Sequence, residues 1–224
     1  MTRHSTRQRF WARSLIGWPL TANARPNDVH KSLQRLEEKG YCRQLVTQNV
    51  DRLHQRAGQQ RVIDLHGRSD QVICMSCHSL HQRDTIHQQM ASENPAFAHY
   101  TATAAPDGDA DLEGIDFSRF RVTDCPACGG LLKPNVVFFG DNVPKERVFS
   151  ALDSLRQADA LLVVGSSLMV YSGFRFCKQA AKLNIPIAAI TRGKTRADEL
   201  LSLKLDGDID QFLVPGVSAL NTLV

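Results

Sequence analysis

The sequence predicts an α/β protein: a doubly wound parallel sheet that carries an inserted small zinc-binding module. Two observations lead there. From residue 27 onward, short apolar runs of strand length alternate with amphipathic stretches of helix length, the pattern of a parallel sheet covered by helices. Interrupting that alternation, two Cys-x-x-Cys pairs, Cys74/Cys77 and Cys125/Cys128, bracket a stretch of little periodicity, and thiols paired at that spacing suit a tetrahedral metal shell. The sheet domain is expected over 1–70 and 131–224, and the module over 71–130. At 224 residues and 42% hydrophobic, the chain can bury one substantial core with a small satellite.

The first 27 residues hold no Asp or Glu but contain Arg3, Arg7, Arg9, Arg13 and Arg25, a composition shared with mitochondrial transit peptides. Phe10, Trp11, Leu15, Ile16 and Trp18 in the same segment, and the lack of a linker after it, read instead as folded body. Residues 27–40 form an amphipathic helix with Val29, Leu33 and Leu36 on one face, Asn27 as N-cap and Gly40 at C′. Residues 44–47 and 62–65 read as buried strands, and 136–139 as another. A helix follows over 144–158 with Val148, Leu152 and Leu155 inward, then a strand over 161–164 stopped by Gly165. A helix over 174–183, a strand over 185–190 and a tail with Gly207 and Pro215 complete the chain.

A formal charge of +4, from 27 basic and 23 acidic side chains that are largely interspersed, is too weak to argue for a nucleic-acid groove. No apolar run approaches the roughly 20 residues of a membrane span. The chain is therefore read as binding neither nucleic acid nor membrane. Its place is the cytoplasm, or the mitochondrial matrix if the source is eukaryotic. In such a reducing compartment six cysteines serve as metal ligands, buried apolar residues or nucleophiles rather than as disulfides.

Cys74, Cys77, Cys125 and Cys128 complete an S₄ shell with no open position, so one Zn²⁺ there is structural. The long segment between the pairs has little apolar content, and four thiolates on a metal would staple its base. The run 74–78 also spells Cys-x-x-Cys-His, the pattern for haem attachment, but that reading leaves the second pair unexplained. Cys42 and Cys177 read as inert core thiols.

Polar residues cluster where strands end. Thr47-Gln48-Asn49-Val50-Asp51 follows one strand, Leu65-His66-Gly67 closes another, and Gly165-Ser166-Ser167 follows a third. In a parallel sheet such ends are where ligands bind, and an imidazole suits a general base near neutral pH. Each cluster alone is equally well a turn or cap. No Gly-x-Gly-x-x-Gly occurs anywhere in the chain, so glycine spacing offers no case for a dinucleotide.

Taken in order, these three motifs, the paired cysteines and Lys133-Pro134-Asn135-Val136-Val137-Phe138-Phe139-Gly140 resemble the sirtuins, the NAD-dependent protein deacylases. The insert with Ala105-Pro106-Asp107-Gly108-Asp109, and Tyr171-Ser172-Gly173, look like the class II branch, which includes lipoamidases and ADP-ribosyltransferases. The resemblance implies a Rossmann-type domain plus a zinc module, with NAD and an acyl-lysine protein entering between them and leaving as nicotinamide and O-acyl-ADP-ribose. It implies His66 as general base. Gln48, Asn49 and Asp51 match positions on the nicotinamide ribose and carboxamide, and Gly165, Ser166, Ser167 and Thr191 positions on the adenosine side. Val137, Phe139 and Gly140 match the acyl-lysine channel and peptide-pairing strand.

Three departures from the family pattern stand out. Thr191 replaces an Asn, Asn135 replaces an Asp, and the opening strand, Gly-Ala-Gly loop and helix are not found in residues 1–46. Without that opening unit two inner strand edges are expected to be exposed. The alternative expectation is a catalytically impaired sirtuin remnant or a zinc-stapled binding module.

Overall fold

The computed structural model describes residues 3–97, 100 and 115–220. In chain order these form α1 (His4–Asn23), α2 (Asp28–Glu38), β1 (Leu45–Thr47), α3 (Leu53–Arg56), β2 (Val62–Asp64), β3 (Gly67–Cys74), β4 (Leu80–Gln82) and α4 (Arg83–Glu93). Then come β5 (Leu132–Val136), α5 (Lys145–Arg156), β6 (Leu161–Val164), α6 (Tyr171–Lys182), β7 (Ile187–Ile190), β8 (Leu203–Leu205) and α7 (Ile209–Ala219). The expected insert motif 105–109 lies outside the described residues. No helix of the described residues is long and apolar enough to cross a membrane.

Two compact units result: one comprises 1–24, 50–52 and 67–136, the other 25–49, 53–66 and 137–224. The first unit centres on β3, which pairs antiparallel with β4 on one side and β5 on the other. Its core gathers Trp11, Ala12 and Leu15 of α1 with Val72, Ile86, Met90, Phe97, Phe120 and Leu132. Trp11 is 0% exposed, and the Arg83 guanidinium lies over its ring and over that of Trp18 at 4.8 and 5.2 Å. A cation stacked on two indoles satisfies its charge without open water. The inter-cysteine segment, expected to lack a core, therefore has one, and its largest side chain comes from α1. That is why residues 1–24 group with the cysteines here, although the sequence reading placed them with the sheet domain.

The same unit holds the base of its long insert with one amide. Asn94 donates to the carbonyls of Met90 and Arg121 (both 2.9 Å) and accepts from Arg121 N–H (2.7 Å). These bonds satisfy buried backbone groups that no ladder reaches.

In the second unit every strand pair is parallel: β1 with β2, β6 with β7, and β7 with β8. The strands thus fall into two hydrogen-bonded groups among the described residues. One apolar cluster joins Leu65 to Val148, Ala151 and Leu155 of α5 and Phe176, Cys177 and Ala180 of α6. A second joins Leu33 of α2, Leu45, Ile190, Leu213 and Val217. α2 starts where its cap predicts, with the Asn27 side chain accepting from His30 N–H (3.1 Å), and it ends before Gly40 at φ +80°. Its buried Glu37 accepts from the N–H groups of Gln60 and Arg61, both at 2.7 Å.

Three elements differ from the sequence reading. The apolar run 136–139 is not a strand of its own: β5 spans Leu132–Val136, and Phe139 is 97% exposed. Pairing with β3, in the register Cys74↔Leu132 to Gly67↔Val136, sets those limits. α6 begins at Tyr171 rather than 174, because Ser172 and Gly173 bury in its first turn. The tail forms β8 and α7, the latter carrying Pro215 within it.

Candidate functional site

In the first unit, two knuckles bring four sulfurs together. Cys74 O accepts from His78 N–H at 3.0 Å and Cys125 O from Gly129 N–H at 2.8 Å, each closing a tight turn, with His78 and Gly129 at positive φ. The sulfurs of Cys74, Cys77, Cys125 and Cys128 all lie within 4.8 Å of one another, with Cys74–Cys128 at 3.5 Å and Cys77–Cys125 at 3.9 Å. A tetrahedral zinc with bonds of about 2.3 Å holds its sulfurs about 3.8 Å apart, so the set fits that ion. Gly130 must be glycine: a Cβ there would stand 2.5 Å from Ser76 Oγ and 3.0 Å from Cys74 Sγ. Since Cys74 and Cys77 both belong to this cluster, a haem attachment would have to take two of its four thiols.

Two partners of the sulfurs were not legible in the sequence. Ser79 Oγ lies 3.1 Å from Cys77 Sγ and 3.5 Å from Cys125 Sγ, and His81 Nε2 lies 3.4 Å from Cys125 Sγ. Chiefly through the Ser79 hydroxyl, the Cys125 thiol is held down at about 5 and that of Cys77 is lowered, whereas hydrogen bonding to the Cys77 and Cys74 sulfurs pushes Cys128 up to about 12. Thiolates are what a metal binds, so the Ser79 hydroxyl favours that form at Cys77 and Cys125. Cys42 and Cys177 differ: burial pushes both thiols up, Cys177 to about 11.

In the second unit, His66 follows β2 and is clasped by backbone on both sides. Leu65 N–H donates to Thr47 O at 3.0 Å, and Val137 N–H donates to His66 O at 2.8 Å. The next residue, Gly67, belongs to the first unit and sits at φ +86°, where a Cβ would meet Asn135 O at 2.2 Å. Both facts require glycine after this histidine.

The His66 ring is held by two partners. Nδ1 lies 3.2 Å from Gln48 O and Nε2 lies 2.8 Å from Ser172 Oγ. A carbonyl can only accept, so Nδ1 carries the proton and Nε2 is left to accept from the serine hydroxyl. Burial is the main cause of a lowered imidazole pKa, the Arg147 charge adds to it, and the Gln48 bond opposes it. At neutral pH the ring is uncharged and able to take a proton. Gln48 is itself pinned: its Oε1 accepts from Ser166 Oγ at 2.9 Å, and its amide lies where a Cβ on Gly173 would stand, 2.9 Å from Nε2.

The structure thus brings Gln48, His66 and Ser166 into one hydrogen-bonded group. Asn49 is near in sequence, its N–H donating to Thr47 Oγ1 at 3.0 Å. Gly165 ends β6 at φ +62°, Ser167 O accepts from Arg196 N–H, and buried Thr191 donates from its N–H to Leu205 O. Val137 touches His66 through its backbone, whereas Phe139 and Gly140 are exposed, the glycine at φ +91°. Asp51 falls in the first unit. Ser172 went unrecognised as the ring's partner, although Tyr171-Ser172-Gly173 had stood out as a motif; a serine beside a glycine gives no sign of what it will face.

The model of the family described as Sir2 matches residues 1–172. NAD-dependent protein deacetylase 2 of Bradyrhizobium diazoefficiens is 58% identical over 206 residues, covering 92% of this chain and 76% of that protein. An NAD-dependent protein deacetylase of Xanthomonas campestris pv. campestris is 58% identical over 209 residues, covering 93% and 71%. Among solved structures, a Sir2–p53 peptide–NAD⁺ complex superposes with a TM-score of 0.80 at 28% identity, covering 99% of this chain and 80% of that one. A Sir2 bound to acetylated peptide gives 0.79 at 27%, covering 99% and 81%.

Proposed function

Because the chain belongs to the Sir2 family, we propose that it is an NAD-dependent protein deacetylase that removes acyl groups from lysine side chains. The observation that carries this reading is His66, neutral and presenting the unprotonated Nε2 to a hydroxyl. NAD, when bound, supplies the anomeric carbon that the acyl oxygen attacks and nicotinamide as the leaving group.

The chain's residues do the rest. His66 takes a ribose hydroxyl proton at Nε2, a transfer worth about 10²–10⁴ in rate. Gln48, Asn49 and Asp51 hold the nicotinamide ribose and carboxamide, and Gly165, Ser166, Ser167 and Thr191 the adenosine side. Val137, Phe139 and Gly140 take the acyl-lysine and its peptide. The module over 71–130 keeps one structural Zn²⁺ on Cys74, Cys77, Cys125 and Cys128, whose four thiolates leave no coordination position open for catalysis. The parallel unit, residues 25–49, 53–66 and 137–224, makes the NAD-binding domain. The Tyr171-Ser172-Gly173 signature favours the class II branch, so lipoyl removal and ADP-ribosyl transfer belong in the assay beside deacetylation.

The test is nicotinamide release from NAD with acetyl-lysine and lipoyl-lysine peptides. His66→Ala should lower it about 100-fold or more with bound zinc unchanged. Because burial lowers the His66 pKa, the neutral base persists below imidazole's ordinary 6.5, and the acid limb of kcat/KM should fall beneath that value. No release by folded, zinc-loaded protein would favour a non-catalytic binding module.

A further inference from the structure

The His66 ring has two hydrogen-bonding nitrogens, and the structure settles what each does in the resting protein. Nδ1 faces Gln48 O, an acceptor only, at 3.2 Å, and Nε2 faces Ser172 Oγ at 2.8 Å. Ser172 is buried, in the first turn of α6 (Tyr171–Lys182). A helix N-terminus carries partial positive charge, which opposes a proton arriving on the ring at rest, as does the Arg147 side chain of α5. The residue beside Ser172 completes the grip: Gly173 leaves room for the side chain of Gln48, the residue whose main-chain carbonyl is the Nδ1 acceptor.

We propose that Ser172 is a positioning residue for His66, donating its hydroxyl to Nε2 so that the ring rests as the Nδ1-H tautomer with its one lone pair aimed and reserved. The proposal rests on the deacetylase reading for its catalytic consequence, but the tautomer itself does not. When a substrate hydroxyl replaces the serine as donor, its O–H bond breaks and an N–H bond forms at Nε2. The hydroxyl of Ser172, able to accept as well as donate, can then take a hydrogen bond from the new Nε2–H. No oxidant or further reactant is needed. The dipeptide Ser172-Gly173 therefore acts on both nitrogens, on Nε2 directly and on Nδ1 by the space it leaves for Gln48.

The experiment is histidine ¹⁵N spectroscopy across pH on the full zinc-loaded chain, comparing wild type, Ser172→Ala and Ser172→Thr. Wild type should show His66 as the Nδ1-H tautomer. Ser172→Ala removes a donor that favours the neutral ring, so the His66 pKa should rise and the Nε2-H form appear, and Ser172→Thr should restore both. If the alanine variant does not fold, Ser172→Cys, a weak donor of similar volume, takes its place. In the peptide assay kcat/KM should fall roughly ten- to hundredfold in Ser172→Ala, with its acid limb moved to higher pH and KM for the peptide held. A wild-type Nε2-H tautomer, or a His66 titration identical in wild type and Ser172→Ala, overturns the proposal. Wild-type protein that releases no nicotinamide overturns the deacetylase reading instead, and the spectra still decide the role of Ser172.

Discussion

The two units reach order by opposite routes. The parallel unit is built from local signals: strand-length apolar runs, a capped helix α2 and glycines at strand ends, each legible within a few residues. The antiparallel unit has few such signals. It depends on groups far apart in sequence: the Trp11 ring against Val72 and Ile86, the Asn94 amide against Arg121, and sulfurs from Cys74 and Cys77 beside those of Cys125 and Cys128. Weak periodicity is no sign of weak structure when long-range contacts and a metal supply the constraint. The corollary is that the two units should fail differently.

The largest expected effect is metal removal. Zinc at a four-thiolate site contributes ~10 kcal/mol or more to folding, so a chelator should unfold the antiparallel unit. Both tryptophans of the chain, Trp11 and Trp18, lie in that unit, which makes intrinsic fluorescence its private reporter. Emission should shift to the red while hydrogen exchange in β6 and β7 stays slow. Simultaneous loss of protection in both units would erase the contrast.

Next comes Trp11→Ala, which empties the centre of the same core and should cost about 3–5 kcal/mol. A lower denaturation midpoint, together with weaker zinc retention, is the expected reading. An unchanged midpoint would mean that the metal alone holds this unit. The smallest effect belongs to the other unit: Asn27→Ala removes the cap of α2 and should cost about 1 kcal/mol. It should appear as faster exchange in α2 with the tryptophan emission unmoved.

Legibility followed the same division. Asn27, Gly40 and Gly165 sit where the sequence reading placed them, because caps and strand stops are decided by neighbours. The run Val136-Val137-Phe138-Phe139 misled for the converse reason. Its apolar character suits a strand, yet pairing with β3 ends β5 at Val136 and leaves Phe139 in solvent. Register depends on the partner strand, which local composition does not encode. Residues 1–24 were readable as folded body, but the core they enter was not, since Gln8 bonds to the carbonyls of Ser118 and Phe120 more than a hundred positions away.

The sequence by itself determined the ligand set, since four thiols in two Cys-x-x-Cys pairs need only their identity and spacing to specify the chemistry. It determined also the position of His66, through motifs whose order carries the family resemblance. What the tertiary structure alone decided is the state of that histidine. Its Nδ1 partner lies 18 residues away and its Nε2 partner 106. A tautomer is set by which atoms converge on the ring, and convergence over such distances exists only once the strands and α6 have packed.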